Sequence, residues 1–188
     1  MTVDPDHVDI KVARIPIDED RWNEDETALV TGFHAMACMA ALRDWSAEFT
    51  FVCLLEDRHI DHFMANIDGL SPPDFMEGLI GEVIKFHQGK ILAVTLHLGA
   101  YSHRVTPGKD ETTAMESKFV ITIPADGSIV CSDMHRELET LIPENDGKWN
   151  TGTLDYVVLD PNGDIKRIAR ELQELIIKQR EKRETNHV

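Results

Sequence analysis

The chain reads as an α+β domain of two layers, with a mainly antiparallel sheet of about five or six strands packed by helices, the last an amphipathic C-terminal helix. Three observations predict it. Apolar runs between residues 90 and 134 follow one another with turn signals and no intervening helix, as antiparallel neighbours do. Helical periodicities lie apart from those runs, near the start, in the middle and at the end of the chain. The third observation is negative. There is no regular alternation of strand and helix, and Gly78 and Gly81 sit inside a helical pattern instead of in a phosphate loop after a strand.

Val8, Ile10 and Val12 alternate with polar or small residues and predict a short first strand that stops near Pro16. After the acidic segment DEDRWNEDE, Leu29, Phe33, Met36, Ala37 and Ala40 recur at helical spacing between Thr27 and Arg43. The acids ahead of that helix favour its positive end. EFTFVCLL, residues 48–55, is a continuous apolar run that suits a strand covered on both faces. Ile60, Phe63, Met64 and Ile67 then fit one side of a short helix closed by Gly69. Ser71 and Pro72 open another, which buries Met76, Leu79, Ile80, Val83 and Ile84 and ends at Gly89.

Residues 90–104, KILAVTLHLGAYSHR, form the most informative strand. Leu92, Val94, Leu96, Leu98 and Ala100 belong to one alternating set, and Thr95, His97, Tyr101 and His103 to the other. The first set packs on a core, leaving the second on a face turned away from it. Gly99 is the weak point, because a bulge there would split His97 from Tyr101. A loop of about a dozen residues is expected next. FVITIPADGSIVCS predicts a hairpin about Ala125-Asp126-Gly127. Residues 135–153 read as irregular, with a helical turn or two around Leu138, Leu141 and Ile142. LDYVVLD is a further strand, Asp160-Pro161-Asn162-Gly163 a turn, and Ile165, Ile168, Ala169, Leu172, Leu175 and Ile176 mark the C-terminal helix.

With 188 residues and 42% apolar content the chain suits one domain, 1–188. Its segment 1–26 is acidic and carries the short strand; residues 179–188 form a polar tail expected to fray. No apolar run reaches the length of a membrane span, and MTVDPDHVDI lacks the features of a signal peptide, so a soluble cytoplasmic protein without membrane association is expected. Cys38, Cys53 and Cys131 are widely spaced among apolar neighbours, which suits buried reduced thiols.

The net charge of −15 disfavours direct contact with nucleic acid. The exception to the acidity is the C-terminal helix, where the bases interleave with Glu171, Glu174, Glu181 and Glu184. An acidic N-terminal segment paired with this helix would either hold the termini together or join two copies as a homodimer.

Two groups of residues are candidate sites. Thr95, His97, Tyr101 and His103 form a hydrogen-bonding row with groups that titrate near neutral pH, fit for a ligand; the plainer reading is a wet outer face. Glu56, Asp57, His59 and His62 cluster at the end of a buried strand. On a helix His59 and His62 would be neighbours able to share a divalent metal, although a closed zinc site needs four ligands and imidazole pairs more often stand four apart. The plainer reading has Asp57 capping the helix with both imidazoles in solvent. No nucleophile motif is present, and nothing in the sequence requires a cofactor.

The leading expectation is therefore a non-enzymatic binding or adaptor protein for a protein or a small molecule. One alternative is a metal-assisted hydrolase built on His59 and His62. Another is an acidic mimic of DNA that occupies a nucleic-acid-binding protein.

Overall fold

In the computed structural model the residues described are 10–17, 25–43, 49–65, 72–105, 112–138, 150–153 and 164–185. The strands are β1 (Ile10–Pro16), β2 (Phe49–Leu55), β3 (His59–Ala65), β4 (Ile91–Val105), β5 (Thr112–Pro124), β6 (Val130–Leu138) and β7 (Asn150–Thr153). They form one sheet in the order β1-β3-β2-β4-β5-β6-β7, and every neighbouring pair is antiparallel. The helices are α1 (Glu26–Arg43), α2 (Pro72–Asp74), α3 (Gly81–Phe86) and α4 (Asp164–Thr185), with a π-helical segment Phe75–Ile80 joining α2 to α3. The α+β class is the one the chain builds.

Alternation in the strands sorts their residues between two cores. Val94, Leu96 and Leu98 of β4 and Phe119, Ile121 and Ile123 of β5 face Ile168, Leu172 and Ile176 of α4 and Ile80 and Ile84 before them. Phe51 anchors the β2 end of this core: its ring stacks on Phe63, centroids 4.6 Å apart, and meets Phe75 edge-on at 5.8 Å. Each such apolar side chain contributes about 1.5–3 kcal/mol by burial. Helix α1 lies across the opposite face. Leu29 and Phe33 pack there on Leu54 and Ala93, and Ala37 and Ala41 pack on Val120 and Met134. The face expected to be open under Thr95 and His97 is thus covered by a helix.

The segment predicted as a short helix at 60–67 is strand β3 through Ala65. Its pairing with β1 on one side and β2 on the other outweighs a local apolar spacing that suits either state. The hairpin turn that makes this pairing has no Gly or Asn to announce it. Glu56 and Asp57 form the bend, Arg58 takes a left-handed φ of 60°, and its N–H donates to Leu55 O at 3.1 Å. The long loop after β4 is shorter than expected, because β5 begins at Thr112 and pairs with β4 back to Val105. β6 likewise runs on to Leu138, within the stretch expected to be irregular, and β7 occupies 150–153.

Gly99 does not interrupt β4. It pairs with Lys118 in a β4–β5 register that is continuous from Ala93 to Val105, so Thr95, His97, Tyr101 and His103 occupy positions of one face. The break lies elsewhere, between Leu54 and Leu55 where β2 meets β4, and it sends Ile91 to the main core but Leu92 to the core under α1. The hairpin at Ala125-Asp126-Gly127 forms as its sequence predicts, with Gly127 at φ 93°. Helix α4 runs on past Lys178 to Thr185, and within that stretch Gln179 is buried and its amide donates to Gly89 O at 2.6 Å. The predicted strand LDYVVLD, the turn at 160–163, Leu141, Ile142 and Gly69 lie outside the described residues.

Candidate functional site

Between α1 and the sheet there is a cavity of about 260 Å³. Helical spacing places Phe33, Met36, Ala37 and Ala40 above it. Below, alternation brings Thr50 and Val52 of β2, Ile60 and His62 of β3, and Thr95 and His97 of β4 to the same side of the sheet. Thr95 is fully buried, whereas Met36 and Ile15 are 37% and 48% exposed, so the cavity runs from an apolar rim to a closed floor. The described lining contains no Lys, Arg, Asp or Glu. Its polar groups are two threonines and two imidazoles. His62 is half-buried, and that burial holds its pKa below the ordinary 6.5, favouring the neutral ring.

A hydrogen-bonded chain extends from the floor into the contact of α1 with β5 and β6. Thr95 Oγ1 and Thr122 Oγ1 are 2.6 Å apart, Thr122 Oγ1 lies 2.8 Å from His34 Nδ1, and His34 Nε2 lies 2.9 Å from Ser132 Oγ. The Cys38 thiol reaches the same Nε2 at 3.6 Å. Burial lowers the pKa of His34 and raises that of Cys38, so a neutral imidazole with one donor and one acceptor nitrogen is matched to hydroxyls on both sides. Ser132 and Cys38 do not line the cavity. The two bonds from His34 tie α1 to β5 and β6.

A second polar pair lies under the other face. His87 Nε2 is 3.0 Å from Asp61 Oδ2, both side chains being less than a tenth exposed, and the Gly89 N–H donates to His87 Nδ1 at 3.0 Å. Gln179 fastens the same turn, donating to Gly89 O and accepting from Ile91 N at 3.4 Å. Asp61 Oδ1 is buried without a hydrogen bond, with Arg14 Nε 3.7 Å away. The Cys53 thiol is held far above its ordinary pKa by burial and, second, by the Asp61 carboxylate, which leaves it a protonated core group.

Comparison with models of protein families, with curated proteins and with solved structures finds no match. The site therefore has to be read from its own geometry.

Of the residues singled out in the sequence, Thr95 and His97 line the cavity. Tyr101 and His103 continue their row on β4, opposite Glu116 and Ala114 of β5. The expected grouping of Glu56, Asp57, His59 and His62 around one ion does not form. Three apart in a strand instead of a helix, His59 and His62 point to opposite faces. Asp57 and Glu56 are turned to cations, Asp57 to Arg14 at 2.6 Å and Glu56 to Lys90 at 3.3 Å and Arg180 at 3.7 Å. His59 Nδ1 lies by Asp57 Oδ1 at 3.3 Å. No cluster of three potential metal ligands exists among the described residues. Sequence reasoning missed His34, Thr122 and Ser132. The signal available was a His34 to Cys38 spacing of four on a helix, with Thr122 and Ser132 in strands, and only the register brings those strands beneath the helix.

Proposed function

We propose that the chain is a non-enzymatic binding protein whose ligand is a small, mainly apolar molecule held between α1 and the sheet. The observation that carries this reading is the cavity of about 260 Å³, with an exposed apolar rim and a buried floor that presents hydroxyl and imidazole groups. Its described lining offers no carboxylate, thiol or serine hydroxyl, which supports binding over turnover. Two of the four residues expected to meet a ligand, Thr95 and His97, are in the wall.

Ala40→Trp is the decisive variant, because Ala40 is an exposed rim residue and its enlargement blocks the cavity without entering the core. Screening small apolar fragments by thermal shift, we expect stabilisation of the native chain by some of them and none of the variant, whose own melting temperature stays unchanged. Fragments that stabilise both proteins equally would sink the reading. A protein partner is the second reading, favoured by α1 itself: Met39 is 52% exposed on it, beside the rim residue Met36 at 37%. Met39→Lys would weaken such a partner and leave fragment binding intact.

A further inference from the structure

Resting on the cavity reading above, we infer that the ligand is an uncharged, mainly apolar molecule with one hydroxyl-type polar group, and that His62 receives that group. Size sets the first limit. An apolar cavity of roughly 150 Å³ accepts benzene, so the 260 Å³ here takes a fused bicyclic body of roughly ten non-hydrogen atoms. Charge sets the second. An ion entering this space would give up part of its water and find no opposite charge in the described lining to offset that loss.

The polar group is specified by what remains. Thr95 already shares its hydroxyl with Thr122, and His97 has another interaction of its own, which leaves Thr50 and His62. Of these two, His62 brings both a donor and an acceptor nitrogen; among the described residues none bonds its ring, and it stands on β3 with Val52 beside it on β2 and Ala13 on β1. The cavity residues contributed by β1, β2 and α1 are uncharged, and the one other titratable group in the described wall is His97 on β4. A neutral imidazole can donate from one nitrogen or accept at the other. It therefore fits a hydroxyl, which does both, and burial keeps the ring in that neutral state near pH 7.

Three probes of one shape test this with the full chain at pH 7.5: naphthalene, 2-naphthol and 2-naphthoate, measured by calorimetry or by displacement of one by another. We expect 2-naphthol to bind about tenfold more tightly than either of the others, the worth of one well-made hydrogen bond. His62→Phe should bring 2-naphthol down to the affinity of naphthalene, leaving naphthalene unchanged, and His62→Gln, which keeps a donor and an acceptor, should restore part of the preference. Tighter binding of 2-naphthoate, or equal binding of 2-naphthol and naphthalene to the native chain, overturns the inference and leaves the cavity reading standing. A preference for 2-naphthol that survives His62→Phe removes His62 from its role. If none of the three binds, the cavity reading falls and this inference with it.

Discussion

The residue that couples the most parts of the molecule is Thr122. Its hydroxyl is fully buried and joins Thr95 of β4 to His34 of α1, so one oxygen links two strands and a helix. Thr122→Val keeps the shape and removes the link, leaving polar atoms of Thr95 and His34 without that partner. We expect a loss of about 1–3 kcal/mol in urea unfolding, and a loss below a few tenths would mean that the chain of bonds carries no stability. Acid acts on the same region. His34 and His62 both have folded pKa values below 6.5, lowered by burial, so just under pH 6.5 the unfolded chain takes up protons that the folded chain refuses. Their contribution is complete above pH 6.5 and is lost as the pH falls through the folded values. The slope of unfolding free energy against pH between 6.5 and 5 should flatten in His62→Gln; an unchanged slope would exclude His62 as a source.

Among the elements, α1 and α4 differ in a way their sequences already suggest. α4 has a clean apolar stripe, Ile165, Ile168, Ala169, Leu172 and Ile176, and packs it on the main core. α1 is apolar on nearly every side, which is why its buried row of Leu29, Phe33, Ala37 and Ala41 is accompanied by exposed Met36 and Met39. The final turns of α4 depend on one amide. Gln179 satisfies the carbonyls of His87 and Gly89 and the N–H of Ile91 in the turn between α3 and β4. Gln179→Ala should cost about 1–3 kcal/mol and speed hydrogen exchange in the segment from Gln179 to Lys182. Fast exchange there in the native chain would contradict an anchored helix end. Arg180 adds a tie between the ends of the fold, 3.4 Å from Glu26 of α1 and 3.7 Å from Glu56.

On the scale of the whole molecule, one sheet serves two cores, and its central strands are shared by both. Leu96→Ala deletes side chain from the main core alone, yet the strand it lies on also floors the cavity. We expect it to lower stability by about 2–5 kcal/mol, with the same shifted midpoint for labelling of Cys38 on α1 as for far-ultraviolet dichroism. Separate midpoints would show that the α1 layer unfolds independently. Charge is organised locally at this scale: Asp57, Glu56 and Glu171 are each paired with a base, which speaks against a continuous array of free carboxylates at those positions. No helix among the described residues is long and apolar enough to cross a membrane. Much of the fold was legible in the chain, because period-two alternation in β4, the Asp126-Gly127 turn and the period of α4 are local signals whose partner is any apolar surface. The candidate site was half legible. Thr95 and His97 belong to the alternating set of β4 that lines the cavity, but the place of His62 beside them is not legible, since the apolar spacing of β3 is ambiguous and the turn at Arg58 uses a residue that gives no warning. What the sequence determined by itself was the class, the central strands and the amphipathic C-terminal helix. Tertiary structure alone decided that α1 lies over Thr95 and His97, that His62 faces them and His59 does not, and that the space between is a cavity. Those are matters of strand order and register, set by contacts between residues far apart in the chain, and no local pattern encodes them.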